Sequence, residues 1–331
     1  PLGELNEGSE VAVDYFTGVN ERSGEESVWA KIAGYFFGDG SVSESNGKLR
    51  ASAFGSEEGL QTLKQDIESE GYKASIFSRE RDHEITTFYG KKKFKANHCE
   101  LHVYSRSFCE ELVRRGVPKG DKTITEFLVP EWVLKGNKAV KRAFLAGFFG
   151  AELSSPAASS RTGFYPPIIS QNKSEKLKSN AREFLTQILL LLEELGIECT
   201  KISERSEQEN RHGKVKRLRL LISAREENLI RLWRTVGFEY NQKRSELANQ
   251  AVHYILTKKR ERDARAALRS EIRKRRTQGL GISEVKRIYG GKANERFIER
   301  SYYEKGGARV RLNHAAFNPK RGTPVCDEII E

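Results

Sequence analysis

Hydrophobic residues follow two spacings along this chain. In some stretches they recur every three or four residues, as one face of a helix requires; in others they alternate with polar residues, as a half-buried strand requires. An apolar run through Ile32–Phe37 predicts a helix, followed by a polar hairpin turning near Asn46-Gly47 and a strand over Leu49–Phe54. Next come a helix from Glu57 to about Glu70, strands around Lys73–Phe77 and Cys99–Tyr104 joined by a charged Ser78–Asn97 loop, and a helix over Ser107–Arg115. The order is αββαββα. From Lys141 to about Tyr240 it returns at low identity, with strand Gly163–Ser170, helix Ser174–Leu195, strands Glu198–Ser203 and Lys216–Ser223, and helix Arg225–Val236. Alternation on the last strand sends Leu218, Leu220 and Ile222 toward the helices and Arg217, Arg219 and Leu221 outward, as in a sheet with one covered face. The fold class is α+β. It divides into a lead-in over 1–27, repeats over 28–120 and 141–244, a linker over 121–140 and a helical, basic segment over 245–331.

Both repeats begin with nearly the same residues. Ile32-Ala33-Gly34-Tyr35-Phe36-Phe37-Gly38-Asp39-Gly40 returns as Leu145-Ala146-Gly147-Phe148-Phe149-Gly150-Ala151-Glu152-Leu153, so Asp39 and Glu152 stand 113 positions apart. Small residues recur one turn apart, Gly34 and Gly38 in the first copy, Ala143, Gly147 and Ala151 in the second. Such faces let two helices approach backbone to backbone. Parallel packing would then bring Asp39 and Glu152 together at one end of the seam, and paired carboxylates point to bound metal or proton transfer.

This doubled stretch resembles the LAGLIDADG motif of homing endonucleases in their single-chain, two-motif form. The resemblance implies a monomer with internal pseudo-two-fold symmetry whose two sheets form a saddle on double-stranded DNA. It also implies one carboxylate per motif, here Asp39 and Glu152, holding Mg²⁺, or Mn²⁺ as a substitute, at a scissile phosphate to make a staggered double-strand break. Members carry a basic or polar pair just before the helix that follows the second strand. Gln171, Asn172 and Lys173 match that pattern, with Lys173 as the cation and its neighbours orienting water. In the first repeat Gly55 stands where the lysine would be, which implies unequal cleavage of the two strands. The passage Gly237 to Arg244 is similar to the stretch after the second repeat in archaeal, intein-embedded members, although the chain has neither a nucleophile at its start nor a terminal His-Asn with which to splice. Two other readings use the same scaffold, a DNA-binding transcription regulator and an RNA maturase. Such regulators have lost the carboxylates, whereas Asp39 and Glu152 are both present.

Charge supports a polyanionic partner. Over 331 residues Lys and Arg number 58 against 46 Asp and Glu, a net +12, and residues 251–331 hold 20 basic and 10 acidic residues, so most of the excess lies in the last quarter. Outward strand and hairpin positions add Lys91, Lys92 and Lys93, then Arg211, Lys214, Arg217 and Arg219, as candidates for contact with DNA. Beyond Asn241 a basic helix over Glu246–Thr277 leads to Leu280–Tyr289, the turn Gly290-Gly291 and a helix from Ala293 to about Glu304. That is the plan of a helix-turn-helix, with Asn294, Arg296 and Arg300 on the recognition helix; a basic helical hairpin that only packs on the rest is the competing reading. Residues 306–331 read as an irregular tail.

The remaining features narrow the class. Cys99, Cys109, Cys199 and Cys326 lack zinc-finger spacing, and His98, His102 and His212 are expected to be packing or surface residues. The strongest apolar run, Ile188–Leu192, is broken by Glu193 and Glu194, far short of a membrane span. A cytoplasmic protein with no membrane partner is expected. The chain has no methionine and begins at Pro1, as expected of a stretch cut from a longer protein or one whose modified residues are missing.

Overall fold

The computed structural model describes residues 25–87, 90–159, 163–206 and 213–304. Most of the expected lead-in and all of the expected tail lie outside them. The first repeat is built from α1 (Glu25–Phe37), β1 (Gly40–Ser45), β2 (Lys48–Gly55), α2 (Glu57–Ser69), β3 (Ser75–Thr87), β4 (Gly90–Val103) and α3 (Arg106–Arg114). Its sheet is antiparallel in the order β1-β2-β4-β3. Local chemistry fixes the helix starts: the Ser56 hydroxyl accepts from Gly59 N at 3.2 Å, and Glu57 and Glu58 occupy the positive first turn of α2. Leu60, Leu63 and Ile67 then form its buried stripe.

The expected Ser78–Asn97 loop is instead two arms of one hairpin, paired from Ser75↔His102 to Thr87↔Gly90. The backbone register runs on through this polar stretch, setting Asp82 opposite Lys95 and Glu84 opposite Lys93.

Residues 121–130 carry the chain across to the second repeat and are tied down along the way. Asn180 Oδ1 accepts from Phe127 N at 3.2 Å and Gln187 Oε1 from Val129 N at 2.8 Å. After α4 (Glu131–Leu134) come α5 (Lys138–Glu152), β5 (Ile168–Ser174), a 3₁₀ turn, α6 (Lys178–Glu194), β6 (Cys199–Ser206), β7 (Val215–Ile222) and α7 (Glu226–Arg231), which continues into a π-helical turn. Here the sheet order is β5-β7-β6, and no first strand corresponds to β1 among the described residues; a single bridge, Ala158↔Phe164, stands in that region. The expected strand Gly163–Ser170 begins later and runs on to Ser174, because β5 pairs along its whole length with β7. Leu218, Leu220 and Ile222 are buried and Arg217, Arg219 and Leu221 face outward, as alternation predicts. The class is α+β.

The described residues fall into two compact units, one drawn from 1–154, 167–223 and 231–245, the other from 155–166, 224–230 and 246–331. In the first, aromatic rings fill the space beneath the two central helices: Phe37 stacks on Phe184 and meets Phe127 and Phe144 edge-on. In the second, most of α8 (Gln242–Thr277), with α9 (Ile282–Tyr289) and α10 (Glu295–Tyr302), closes a small core of Ile272, Val285, Tyr289 and Ile298. Among the described residues, no helix is long and apolar enough to cross a membrane.

Candidate active site

The site starts from the seam between α1 and α5, where glycine lets backbone meet backbone. A Cβ on Gly34 would lie 2.1 Å from the Phe144 carbonyl oxygen, and one on Gly147 would lie 2.1 Å from that of Lys31; neither distance admits a side chain. Farther along, Gly38 faces Ala151 and the Cγ of Glu152. Glu152 is the last residue of α5, whereas Asp39 lies two residues past the end of α1, in the turn into β1. Glu152 thus closes its helix, whereas Asp39 stands two residues beyond the end of its own.

The two carboxylates share one field. Glu152 is half-buried, and its carboxyl is pushed up to about 7, first by burial and then by Asp39; Lys122 and Arg244 pull the other way. Asp39 keeps an exposed edge, yet the protein packed around the end of the seam raises its carboxyl as well, again opposed by Lys122 and Arg244. The Lys122 ammonium donates to the Gly38 carbonyl and is itself lowered to about 8 by desolvation. Arg244 donates from Nη1 to the carbonyls of Phe149, Gly150 and Ala151 at 3.2, 2.9 and 2.9 Å. It thus caps the negative end of α5 directly behind Glu152.

Lys122 and Arg244 were missed by sequence reasoning, although a signal existed. Each lies six or seven residues after a glycine that closes a repeat with positive φ, Gly116 at +95° and Gly237 at +69°. Both segments then cross to the opposite repeat: 121–130 to α6, and 237–244 to α2, where the Tyr240 hydroxyl donates to Asp66 at 2.6 Å and Gly59 lies against the Tyr240 carbonyl.

The expected trio at the end of β5 is not brought together. Strand alternation turns Asn172 outward, where its Oδ1 accepts from Arg217 Nε at 3.0 Å, and turns Gln171 and Lys173 inward. Lys173 is 1% exposed, donates to the Thr125 carbonyl and lies 3.7 Å from the centre of the Phe127 ring. Desolvation lowers it to about 8, and the charges it feels are Glu126, Lys122 and Asp121. At the matching place in the first repeat, a side chain on Gly55 would meet the Tyr35 hydroxyl, which donates to Phe54 O at 2.6 Å.

Of the outward candidates, Lys91, Lys92 and Lys93 lie on β4 opposite Thr86, Ile85 and Glu84, with their side chains outside the described part, and Arg211 lies outside the described residues. Lys214 is exposed beside β7, and Arg217 and Arg219 share the outward row of that strand. Asn294 is the N-cap of α10, its Oδ1 accepting from Phe297 N at 2.9 Å, so that oxygen is committed to the helix start. Arg296 and Arg300 are exposed one turn apart on α10.

No family model matches the chain. It is 34% identical over 311 residues to a tRNA-splicing ligase RtcB of Methanopyrus kandleri, covering 91% of this chain and 31% of that protein. With the RtcB of Pyrococcus furiosus it shares 34% over 291 residues, 87% of this chain and 29% of that one. It also matches the DNA-directed RNA polymerase subunit Rpo1N of Methanocaldococcus jannaschii at 31% identity, over 71% of this chain and 17% of that subunit. The solved structure of the homing endonuclease I-WcaI bound to its DNA recognition sequence covers 71% of this chain and 91% of its own at 13% identity and a TM-score of 0.40, too low to carry an argument.

These names overturn the family expectation. Four relatives at 33–35% identity are named for joining RNA; the reading as a LAGLIDADG homing endonuclease of intein type is corrected accordingly, together with its DNA-cleaving activity and its regulator and maturase alternatives. The physical reason is that a glycine-packed seam ending in two carboxylates is a scaffold, and a scaffold leaves open which reaction it serves. The chain spans about three tenths of the first two relatives, and Rpo1N bears a different name, so the named activities describe much larger proteins.

Proposed function

We propose that this chain is part of an enzyme acting on nucleic acid, and that Asp39 and Glu152 hold a divalent cation, Mg²⁺ or Mn²⁺, for phosphoryl transfer at a polynucleotide phosphodiester. The observation that carries the reading is the coupled carboxylate pair with its two flanking cations. Holding the fold together does not require two neighbouring carboxylates both raised by burial, Glu152 by Asp39 as well; such groups cluster at functional sites. The donor set fits Mg²⁺, a hard cation commonly held by one or two carboxylates, with phosphate and water completing the shell. When bound, the ion would neutralise phosphate charge and activate water or hydroxyl.

The chain's own residues do the rest. Arg244 fixes the end of α5 and thereby the position of Glu152, and Lys122 fixes the turn that carries Asp39. Both also soften the repulsion between the carboxylates. RNA is the substrate suggested by the relatives' name, and the double-stranded DNA expected from the sequence stays in the proposal beside it. The test is incubation of labelled RNA and DNA, single-stranded and duplex, with Mg²⁺, Mn²⁺ or Ca²⁺, scoring phosphodiesters both made and broken. Metal-dependent strand chemistry lost in Asp39→Asn and Glu152→Gln is the expected result. Absence of such chemistry from the intact wild-type protein on every substrate would overturn the reading.

A further inference from the structure

The outward face of the first sheet carries a cavity of about 240 Å³ that differs in character from the carboxylate seam. Register builds it: Ser52 lies opposite His102 on the neighbouring strand, while Phe54 and Phe77 both lie opposite Glu100, one from each side. At its floor, Ser52 Oγ is 2.9 Å from His102 Nδ1 and His102 Nε2 is 3.2 Å from Glu100 Oε2. Aromatic rings stand around this floor, with His102 centred 5.2 Å from Phe77 and 5.9 Å from Tyr104. Phe77 is 39% exposed and Tyr104 62%. Ser41, Arg50 and Arg79 complete the lining.

The Ser-His-Glu chain invites comparison with a nucleophilic triad, but Ser52 is 3% exposed, so no reacting carbon can reach its oxygen. What the cavity presents instead is a ring surface open to solvent, polar edges beneath it and two guanidinium groups. A sheet face that met only water would gain nothing from exposing these aromatics. Rings for stacking, held by the Ser52-His102-Glu100 chain beneath them, and arginines for flanking phosphates are the combination that takes an unstacked base of a nucleic-acid strand. The net +12 of the chain favours the same anionic partner.

We infer that this cavity is a subsite for one unpaired nucleobase of a bound strand, stacked against Phe77 and Tyr104 with its flanking phosphates toward Arg50 and Arg79. The inference rests on the proposed nucleic-acid substrate but not on its strand chemistry. The test places 2-aminopurine at one position of otherwise unlabelled single-stranded RNA, single-stranded DNA and a fully paired duplex, and follows its fluorescence on titration with the full chain in EDTA. Stacking predicts quenching with either single strand; the RNA arm against the DNA arm shows whether the sugar is read. Phe77→Ala and Tyr104→Ala, at exposed positions that leave the core intact, should each weaken binding roughly tenfold and diminish the quench. Because the titration is run in EDTA, without the cation that the strand chemistry needs, it separates failure of this site from failure of the metal site. Quenching that survives both aromatic replacements, no quenching at all, or an equal response from the paired duplex would overturn it.

Discussion

Gly34 and Gly147 each press against the backbone of the other's helix, Gly34 on the Phe144 carbonyl and Gly147 on that of Lys31. Gly147 is the 113-residue counterpart of Gly34, and Phe144 is that of Lys31, so the two contacts are one contact made twice. Because the obstructing atoms are main-chain oxygens, no rotamer change can make room. Gly34→Ala and Gly147→Ala should each cost about 2–3 kcal/mol of stability, the upper range for overpacking, and widen the seam that sets the carboxylates side by side. Gly291→Ala, where a Cβ meets nothing within 4 Å, serves as the control and should shift chemical denaturation by less than about 0.5 kcal/mol. A seam variant that unfolds at the wild-type midpoint would mean that the helices do not meet this closely.

Glu152 gives the seam a pH signature. Its carboxyl is raised from the ordinary 4.5 to about 7, chiefly by burial and next by Asp39. Between those values the folded chain keeps a proton that the unfolded chain has lost. The contribution to stability is therefore fully present below pH 4.5 and is lost as pH rises through about 7. Glu152→Gln should flatten that decline, and urea denaturation of both proteins between pH 4.5 and 8 measures it. A divalent cation must displace the same proton, so metal affinity should rise with pH over this window. Parallel stability profiles for wild type and variant would contradict the burial of Glu152.

Much of this arrangement could be read from the residues, because it rests on local rules. The doubled Gly-rich motif announced the seam, and the alternation of Leu218, Leu220 and Ile222 with Arg217 and Arg219 announced the inward and outward faces of β7. Pairing across distance was less legible. The polar stretch of the β3–β4 hairpin has no apolar periodicity, so its charge density reads as a loop, and only the pairing of the two strands shows the ladder. Lys173 sat one residue from an expected helix start, and only the pairing of β5 with β7 shows that the strand carries it inward. Lys122 and Arg244 lie in segments with no period at all, and their role comes from which helix end each segment crosses. The reaction was not legible, since two carboxylates at a seam suit several chemistries.

Lys173 offers a separate check, because burial and catalysis predict different outcomes for it. Lys173→Met keeps the volume and removes a buried charge, which offsets the lost donor to the Thr125 carbonyl, so stability at neutral pH should stay within about 1 kcal/mol. Lys173→Ala leaves a cavity beside Phe127 and should cost about 2–4 kcal/mol. Since the folded ammonium is lowered to about 8 from the ordinary 10.5, the unfolded chain holds the extra proton between those values and stability rises with pH across them. Lys122 shifts in the same direction, so Lys173→Met should remove part of the rise and leave the remainder. Thermal unfolding from pH 7.5 to 10.5 checks both the size and the slope.

The helical unit should contribute phosphate contacts through Arg296 and Arg300. Removing the unit by truncation after residue 245 is a poor test, since Glu226 is held by Lys258 at 2.5 Å and Arg262 at 3.0 Å, and cutting the chain there would strip α7 of both partners. Replacement of exposed residues avoids that. Arg296 and Arg300 lie on the solvent side of α10, whose buried positions are Ile298 and Ser301, so Arg296→Ser and Arg300→Ser should leave the fold intact. Each phosphate contact adds about 0.9 to the slope of log affinity against log salt on duplex and about 0.7 on single strands. The double variant should therefore bind nucleic acid more weakly at low salt, with a slope shallower by about one to two units. Asn294→Ser keeps a capping oxygen at the start of α10 and should bind like wild type; Asn294→Ala should cost about 1 kcal/mol of stability through the lost cap. Unchanged affinity and slope in the double arginine variant would assign α10 to packing alone, as a helical hairpin that does not touch the strand.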